Sequence, residues 1–548
     1  MLNLKSIYFY FLAKKINIIK IVKKIYFKTN FYNKSLKSKI PEKFYFYPNP
    51  FLLSFLTENK KSSFKVSKID ADMFWKNQET KKDRRNLHNF FWLNLIDRKN
   101  DGFIIQKIIT IWIFKNFKYK NIIWEDSVIS RRIISWILNA NIILNKTENV
   151  FKNNFFESIV VQTNHLKKNI KFQNNYSTKI EIICAILLTG LVFKEYRETY
   201  ESNLKDLEKL VDSFFDSDGF PLNRNPNDLV KFSKYLILIK ECIKDSQEYV
   251  PDFLDEIIEK ILNCLKSIVT PKNEIPLFNG ATEINLEEYL IYIEGLKYKL
   301  LKKKGRIGNL QVIKNKRNIV FFDVGRSPTK EFSSDYQSGP LSFEYFLDGE
   351  KIITNCGFGR KISKKAVLLS RLTSAQSTLT LNDNSVVKFE RSKSLNKAFG
   401  NSIKNNFKVF NFSFTDDDYE IKSSSTHDAY EDSFGYHHRR EIKIDKMNGV
   451  LLGLDELTAR KASTDADFNV RFHLYPGVNA VQTMAGNSIL IQMAKNKTLV
   501  FKSEGENLSI EKSIFLGRNK ILNNLCITIS GNISTRSKNI HWEIRKSF

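Results

Sequence analysis

Near residue 305 the spacing of apolar residues along this chain changes from about 3.6 to 2, and few folds accommodate that order. Before the change the pattern is helical. In "EDSVISRRIISWILNANIIL", Glu125 and Asp126 stand where a helix would be capped, and Val128, Ile129, Ile133, Trp136 and Ile137 form one stripe. "YESNLKDLEKLVDSFFDSDGF" sets Leu204, Leu207, Leu210, Val211 and Phe214 at helical spacing before a stop at Gly219. "DFLDEIIEKILNCLKSIV" repeats the arrangement with Phe253, Ile257, Ile261, Leu265 and Ile268. Short connections separate these helices, as in a multi-helix array or toroid.

After "KYKLLKKKGRIGN" the residues alternate. "GPLSFEYFLDGEKIITNCG" reads as a hairpin turning at Asp348-Gly349, and "STLTLND", "RREIKID", "VLLGLDEL", "NVRFHLYPGV", "SILIQMA", "NKTLVFKS" and "LCITISG" continue as strands. A run of helices followed by a run of strands predicts an α+β multidomain chain, and 548 residues exceed one ordinary core. The expected parts are a basic N-terminal segment 1–41, a helical domain 42–305 and an antiparallel β-sandwich 306–548.

A net charge of +28 invites a polyanion, either nucleic acid or an acidic polysaccharide. The lysines are scattered among abundant Asn, Ile and Phe, as codon bias toward A and T would also produce. No clustered basic face with aromatic platforms is visible, so nucleic acid is the weaker partner. The five cysteines form no CxxC or Cys/His cluster, which removes a zinc knuckle and a disulfide framework from consideration. "MLNLKSIYFYFLAKKINIIKIVKK" is a poor signal peptide, and its apolar run interrupted by lysines leaves a basic amphipathic surface helix open. The longest apolar run, from Ile180 to Phe193, contains Glu181 and falls short of the roughly 20 residues that span a bilayer, so no transmembrane segment is expected.

Chemistry is most concentrated in "STHDAYEDSFGYHHRR", which holds His427, Asp428, Tyr430, His437, His438, Arg439 and Arg440. β-Elimination on a uronic acid needs a base for the proton beside the carboxylate, a cation or amide to neutralise that carboxylate, and an acid for the leaving oxygen. Histidine, tyrosine and arginine can supply all three. The bland alternative is a turn at His427-Asp428 and a packed strand histidine at His438. "RFHLYPGV" places Arg471, His473 and Tyr475 on one face, fit to clamp an anion or simply to be solvated. In the helical half, Asn164 with His165 and Arg224 with Asn225 and Asp228 line a cavity or cap helices. "LFNGATE" reads as a turn at Asn279-Gly280. No P-loop, GxSxG or HExxH occurs.

Taken in order, "DGFPLNRNP", "LFNGATE", "GPLSFEYFLDGEKIITNCG", "RLTSAQSTLTLND", "HDAYEDSFGYHHRR" and "RFHLYPGV" resemble six blocks of the heparinase II/III family of polysaccharide lyases, in its alphaproteobacterial branch. The resemblance runs from "NFFWLNLIDR" to the end. It implies an N-terminal α/α toroid (an incomplete barrel), a C-terminal antiparallel β-sandwich, and a sugar cleft between them. It also implies β-elimination on an acidic polysaccharide in the cell envelope or periplasm, although the N-terminus leaves a cytoplasmic location open.

The sequence departs from that family's active pattern. Where characterised lyases carry an Asn-His pair and a catalytic tyrosine, this chain reads "NNYSTKIE" and "NRNPNDLV". Where relatives read "DGGH", it has Asp218, Gly219, Phe220 and Pro221. Relatives hold a structural zinc with His and Asp, but the matching positions here are Gln337, Asn355 and Gln376, neutral amides that are poor zinc ligands, so no metal and no cofactor are expected. The remaining candidates are His427 or His438 as proton carrier, Tyr430 as partner acid, and Arg224 or Arg471 as carboxylate clamp. Asn225, Arg439 and His473 are further substrate contacts. The alternative function is a polysaccharide-binding or envelope-assembly protein that kept the fold without catalysis.

Overall fold

The structure is a computed structural model that describes residues 4–57, 73–75, 80–98, 102–493 and 497–547. The chain divides into two compact units. One contains Met1–Phe214, Val230–Glu259 and Ile291–Leu296; the other contains Phe215–Leu229, Lys260–Leu290 and Lys297–Phe548. Among the described residues, no helix is long and apolar enough to cross a membrane.

The first unit is helical. Its centre is the helix Tyr176–Val192, in which every residue from Ile180 onward is buried. A helix apolar on all sides has to be enclosed by others, and Asp126–Leu138 and Arg197–Phe214 pack against it. Gly190 permits the second of these contacts, since a Cβ there would lie 2.6 Å from the backbone nitrogen of Tyr200. Val128, Ile129, Ile133, Trp136 and Ile137 are all buried, as their spacing predicts. Glu125 occupies the N-cap position but does not cap; its carboxylate accepts from Arg85 at 2.5 and 2.8 Å instead. The helix Leu4–Tyr26 belongs to this unit too.

The second unit holds three antiparallel sheets of five, eight and four strands. The five-stranded sheet begins at Gly305–Ile307, where the sequence period changes. It includes Phe343–Leu347 and Glu350–Ile353, joined through Asp348 and Gly349, both at positive φ (51° and 78°), the turn that suits strand twist. The eight-stranded sheet contains Glu420–His427, Tyr436–Asp445, Leu451–Ala459 and Ser537–Lys546 as neighbours; the four-stranded one contains Leu379–Leu381, Ala466–His473 and Leu522–Ile533. Phe343, Phe472, Ile442 and Trp542, drawn from all three sheets, lie in one apolar core. Burial along Tyr436–Asp445 alternates without a break, so His438, Arg440, Ile442 and Ile444 share the inner face.

Two stretches from the helical half of the sequence join this unit. Leu277 donates its N–H to Glu344 at 3.1 Å, Gly280 to Gln337 at 3.0 Å and Glu283 to the Gly517 carbonyl at 2.9 Å. Gly219, at φ 87°, brings the other stretch against the helix Asp252–Ile268, where a Cβ would lie 2.6 Å from that of Lys260.

Candidate functional site

Strand pairing sets His427 directly opposite His438, and Arg440 directly opposite Asp455. Tyr430 lies in the turn that follows His427, and its ring centroid lies 5.6 Å from that of His427. The structure therefore gathers His427, Tyr430 and His438. It also encloses them: both histidines are fully buried and Tyr430 is 1% exposed. The Ala429 N–H donates to His427 Nδ1 (3.2 Å), which leaves the His427 Nε2–H to donate to His438 Nδ1 (3.1 Å) and the His438 Nε2–H to donate to Asp455 (2.6 Å). Every imidazole nitrogen has a partner, and both rings are neutral. Burial pushes both pKa values down, by way of desolvation first, with the Asp455 hydrogen bond opposing it at His438. The Tyr430 hydroxyl donates away from the pair, to the Leu379 carbonyl at 2.9 Å.

Asp455 ties this network together. It accepts from His438, from Arg440 at 2.7 and 3.0 Å, and from the Trp542 indole at 2.9 Å. Arg440 also donates to the carbonyls of Leu341 and Ser377, both at 2.9 Å. Burial alone would raise the Asp455 pKa; the Arg440 charge and the donated hydrogen bonds outweigh it and hold the carboxyl below its ordinary range. Chemically this is a satisfied polar network inside a core.

The other expected contacts are engaged separately. Arg224, at φ 64° and 3% exposed, pairs with buried Asp323 and donates to the Arg326 carbonyl at 2.9 Å. The neighbouring Asn225 accepts from the Asn227 N–H at 3.0 Å. Arg471 donates to Thr380 and Asp383, both at 2.8 Å. His473 is bonded to Ser513 and to the Ser374 carbonyl, and burial lowers its pKa to about 4. Arg439, on the opposite strand face from His438, reaches Glu441 at 2.5 Å and Glu456 at 3.4 Å. In the helical unit His165 shares a 2.7 Å hydrogen bond with the Tyr32 hydroxyl, and Asn164 donates to the Leu36 carbonyl.

Gln337 and Gln376 both turn their amide NH2 groups toward the Ser370 carbonyl (2.8 and 2.9 Å) and the Cys356 sulfur (3.7 and 3.8 Å). Asn355 accepts from the Ser377 N–H. Donor groups cannot ligate a cation, and burial raises the Cys356 thiol to about 12, so it carries its proton at neutral pH. These residues do not fit a divalent metal. Among the described residues no group of three or more His, Cys, Asp or Glu could hold one.

Two clusters escaped the sequence reading. In the helical unit, Glu181 is 1% exposed and receives Arg131 at 2.8 and 3.1 Å and Lys231 at 2.8 Å. The two cations keep 35% and 30% of their side chains exposed. The signal was an acidic residue inside the longest apolar run, in "NNYSTKIE", with Lys231 directly following "NRNPNDLV". In the other unit, Tyr475 donates to Glu283 at 2.6 Å, and Arg518 donates to Glu283 at 2.8 Å and to the Tyr475 oxygen at 2.6 Å. That triad joins "RFHLYPGV" to "LFNGATE".

Comparison with known proteins agrees with this architecture. Residues 300–543 match the family model described as "Heparinase II/III-like, C-terminal". A crystal structure of heparinase III superposes with a TM-score of 0.69 at 13% identity, covering 86% of this chain and 79% of that one. The mutant heparan sulfate lyase HepC from Pedobacter heparinus gives 0.66 at 15% identity, covering 87% and 78%. A heparinase III described as the BT4657 gene product gives 0.67 at 14%, covering 90% and 88%. No curated protein matches the chain by sequence. The fold is that of the heparinase III structures, an α/α toroid followed by an antiparallel β-sandwich.

Proposed function

We propose, for a chain whose residues 300–543 are a heparinase II/III-like C-terminal domain, that it binds an acidic, uronic-acid-containing polysaccharide through exposed cations and does not cleave it through the sandwich histidines. The observation that carries this reading is the trio of Arg131, Glu181 and Lys231. Two partly exposed cations share one buried carboxylate, so the trio keeps one positive charge in excess and presents it to solvent. Glu181 takes the Nε and Nη2 edge of Arg131 and fixes the guanidinium in place, so a sugar carboxylate would be met by the remaining Nη1 group and the Lys231 ammonium. Burial of His427, Tyr430 and His438, with every imidazole nitrogen occupied, supports binding over proton transfer at those residues. An envelope or periplasmic setting, where such polymers are met, is part of the same reading.

A second reading is β-elimination. It is favoured by the structural likeness to a heparan sulfate lyase over 87% of this chain, and it requires a base other than the enclosed histidines. One experiment separates the two. Purified protein is incubated with heparin, heparan, chondroitin and alginate while ultraviolet absorbance follows any conjugated unsaturated uronate, and calorimetry follows binding. The expected result is saturable binding with a flat absorbance trace, and an affinity at least tenfold lower in Arg131→Gln/Lys231→Gln. Rising absorbance overturns the binding-only reading. Its loss in His427→Ala or His438→Ala, with folding intact, would return the proton to those residues.

A further inference from the structure

The helix Leu4–Tyr26 has two unlike sides. Ala13 is fully buried, Lys23 lies over the Phe172 ring, and the Tyr26 ring packs 5.0 Å from Tyr32, so one side is seated on the helical unit. The other side carries Ile7, Phe11, Ile18, Val22 and Ile25, spaced by four, seven, four and three residues and therefore aligned on one stripe. All five are exposed; Phe11, Ile18 and Ile25 keep 64%, 60% and 64% of their surface. A stripe of this length left to water marks an interaction surface.

Charge selects the occupant. Between Ile7 and Tyr26 stand Lys14, Lys15, Lys20, Lys23 and Lys24, with no acidic residue. At 100° per residue Lys14 and Lys15 fall on either side of the stripe. A second copy of the helix would set lysines against lysines with no carboxylate between them. An anionic surface with an apolar interior meets both demands, and exposed Tyr8, Tyr10 and Tyr26 suit the boundary between them. Five lysines in so short a stretch also keep the helix from spanning.

We infer that Leu4–Tyr26 is a membrane-surface anchor, laying its apolar stripe into an anionic lipid leaflet while Lys14 and Lys15, which flank the stripe, contact headgroups. The helix then holds the helical unit, with the Arg131–Glu181–Lys231 trio, at a membrane, a role separate from sugar recognition.

The test is co-sedimentation of the full chain with vesicles of phosphatidylglycerol and phosphatidylcholine, and with phosphatidylcholine alone. Binding to the anionic vesicles should exceed binding to the neutral ones by about tenfold or more, and should weaken as salt rises. Ile18→Asp/Val22→Asp, both at exposed positions, should abolish binding with an unchanged melting temperature. Lys14→Glu/Lys15→Glu should weaken it roughly tenfold or more. Retained vesicle binding in Ile18→Asp/Val22→Asp would overturn the anchor and leave lysine attraction alone. No vesicle binding by the wild type would also overturn it. Dimers that dissociate in Ile18→Asp/Val22→Asp, without vesicle binding, would make a second copy the occupant.

Discussion

Asp455 is fully buried and faces a fully buried guanidinium, so neither charge can be exchanged for water when the other is removed. Asp455→Asn keeps the shape but loses the counter-charge of Arg440. We expect a loss of about 3–5 kcal/mol in denaturant unfolding, because an uncompensated buried cation is costly. A change under about 1 kcal/mol would mean that Arg440 is held by the Leu341 and Ser377 carbonyls alone. His473 offers a pH test. Its imidazole titrates near 4 in the folded chain, because burial penalises the charged form, against an ordinary value of 6.5. Between those values the unfolded chain takes a proton that the folded chain refuses, so stability present above 6.5 is lost as pH falls toward 4. His473→Gln should make the stability curve shallower in that window by up to about 1.4 kcal/mol per pH unit. Parallel curves for the two proteins would refute the assignment. At this scale the sequence was half legible. The polar density of "HDAYEDSFGYHHRR" drew the eye to residues that do meet, but the strand alternation putting His438 and Arg440 on the face of Ile442 and Ile444 also buries them. Their partner, Asp455, comes from another strand, and no spacing within the block announces it.

Elements were easier to read than their partners. The hairpin at Asp348-Gly349 was visible because only a residue pair tolerant of positive φ fits that turn. The stretches Phe215–Leu229 and Lys260–Leu290 were assigned by their position in the helical half, yet they belong with the strands. Lys260–Leu290 gives backbone N–H groups to Glu344 and Gln337, and Phe215–Leu229 is tied by the Arg224–Asp323 pair; neither kind of contact leaves a periodic trace. Gly453, in the strand Leu451–Ala459, is a third case. A Cβ there would lie 2.0 Å from Trp542 on the paired strand Ser537–Lys546. Gly453→Ala must separate the strands or eject an indole that donates to Asp455. A loss of about 1–3 kcal/mol is expected, with quenching or shift of tryptophan fluorescence. Unchanged stability and emission would show that the sheet yields at no cost. Gly477, with nothing within 4 Å of its added Cβ, is the control for a glycine whose role is conformational only.

For the whole molecule, a net charge of +28 spread over 87 basic residues leaves two explanations for affinity toward an acidic polymer. A diffuse field attracts any polyanion and is screened by salt; a built site adds directed hydrogen bonds that persist once the field is screened. The Arg131–Glu181–Lys231 trio separates them, because its double glutamine variant removes only two of those basic residues. If the field dominates, the variant should bind within about twofold of wild type at every salt concentration. If the trio is the site, the ratio should be tenfold or more at low salt and should survive near physiological ionic strength, where surface fields decay within about 8 Å. We expect the second outcome, since Glu181 is buried and fixes both cations, which spares the bound polymer the entropy of ordering two long side chains. Equal salt slopes with equal affinities for the two proteins would assign binding to charge alone and remove the trio from the function.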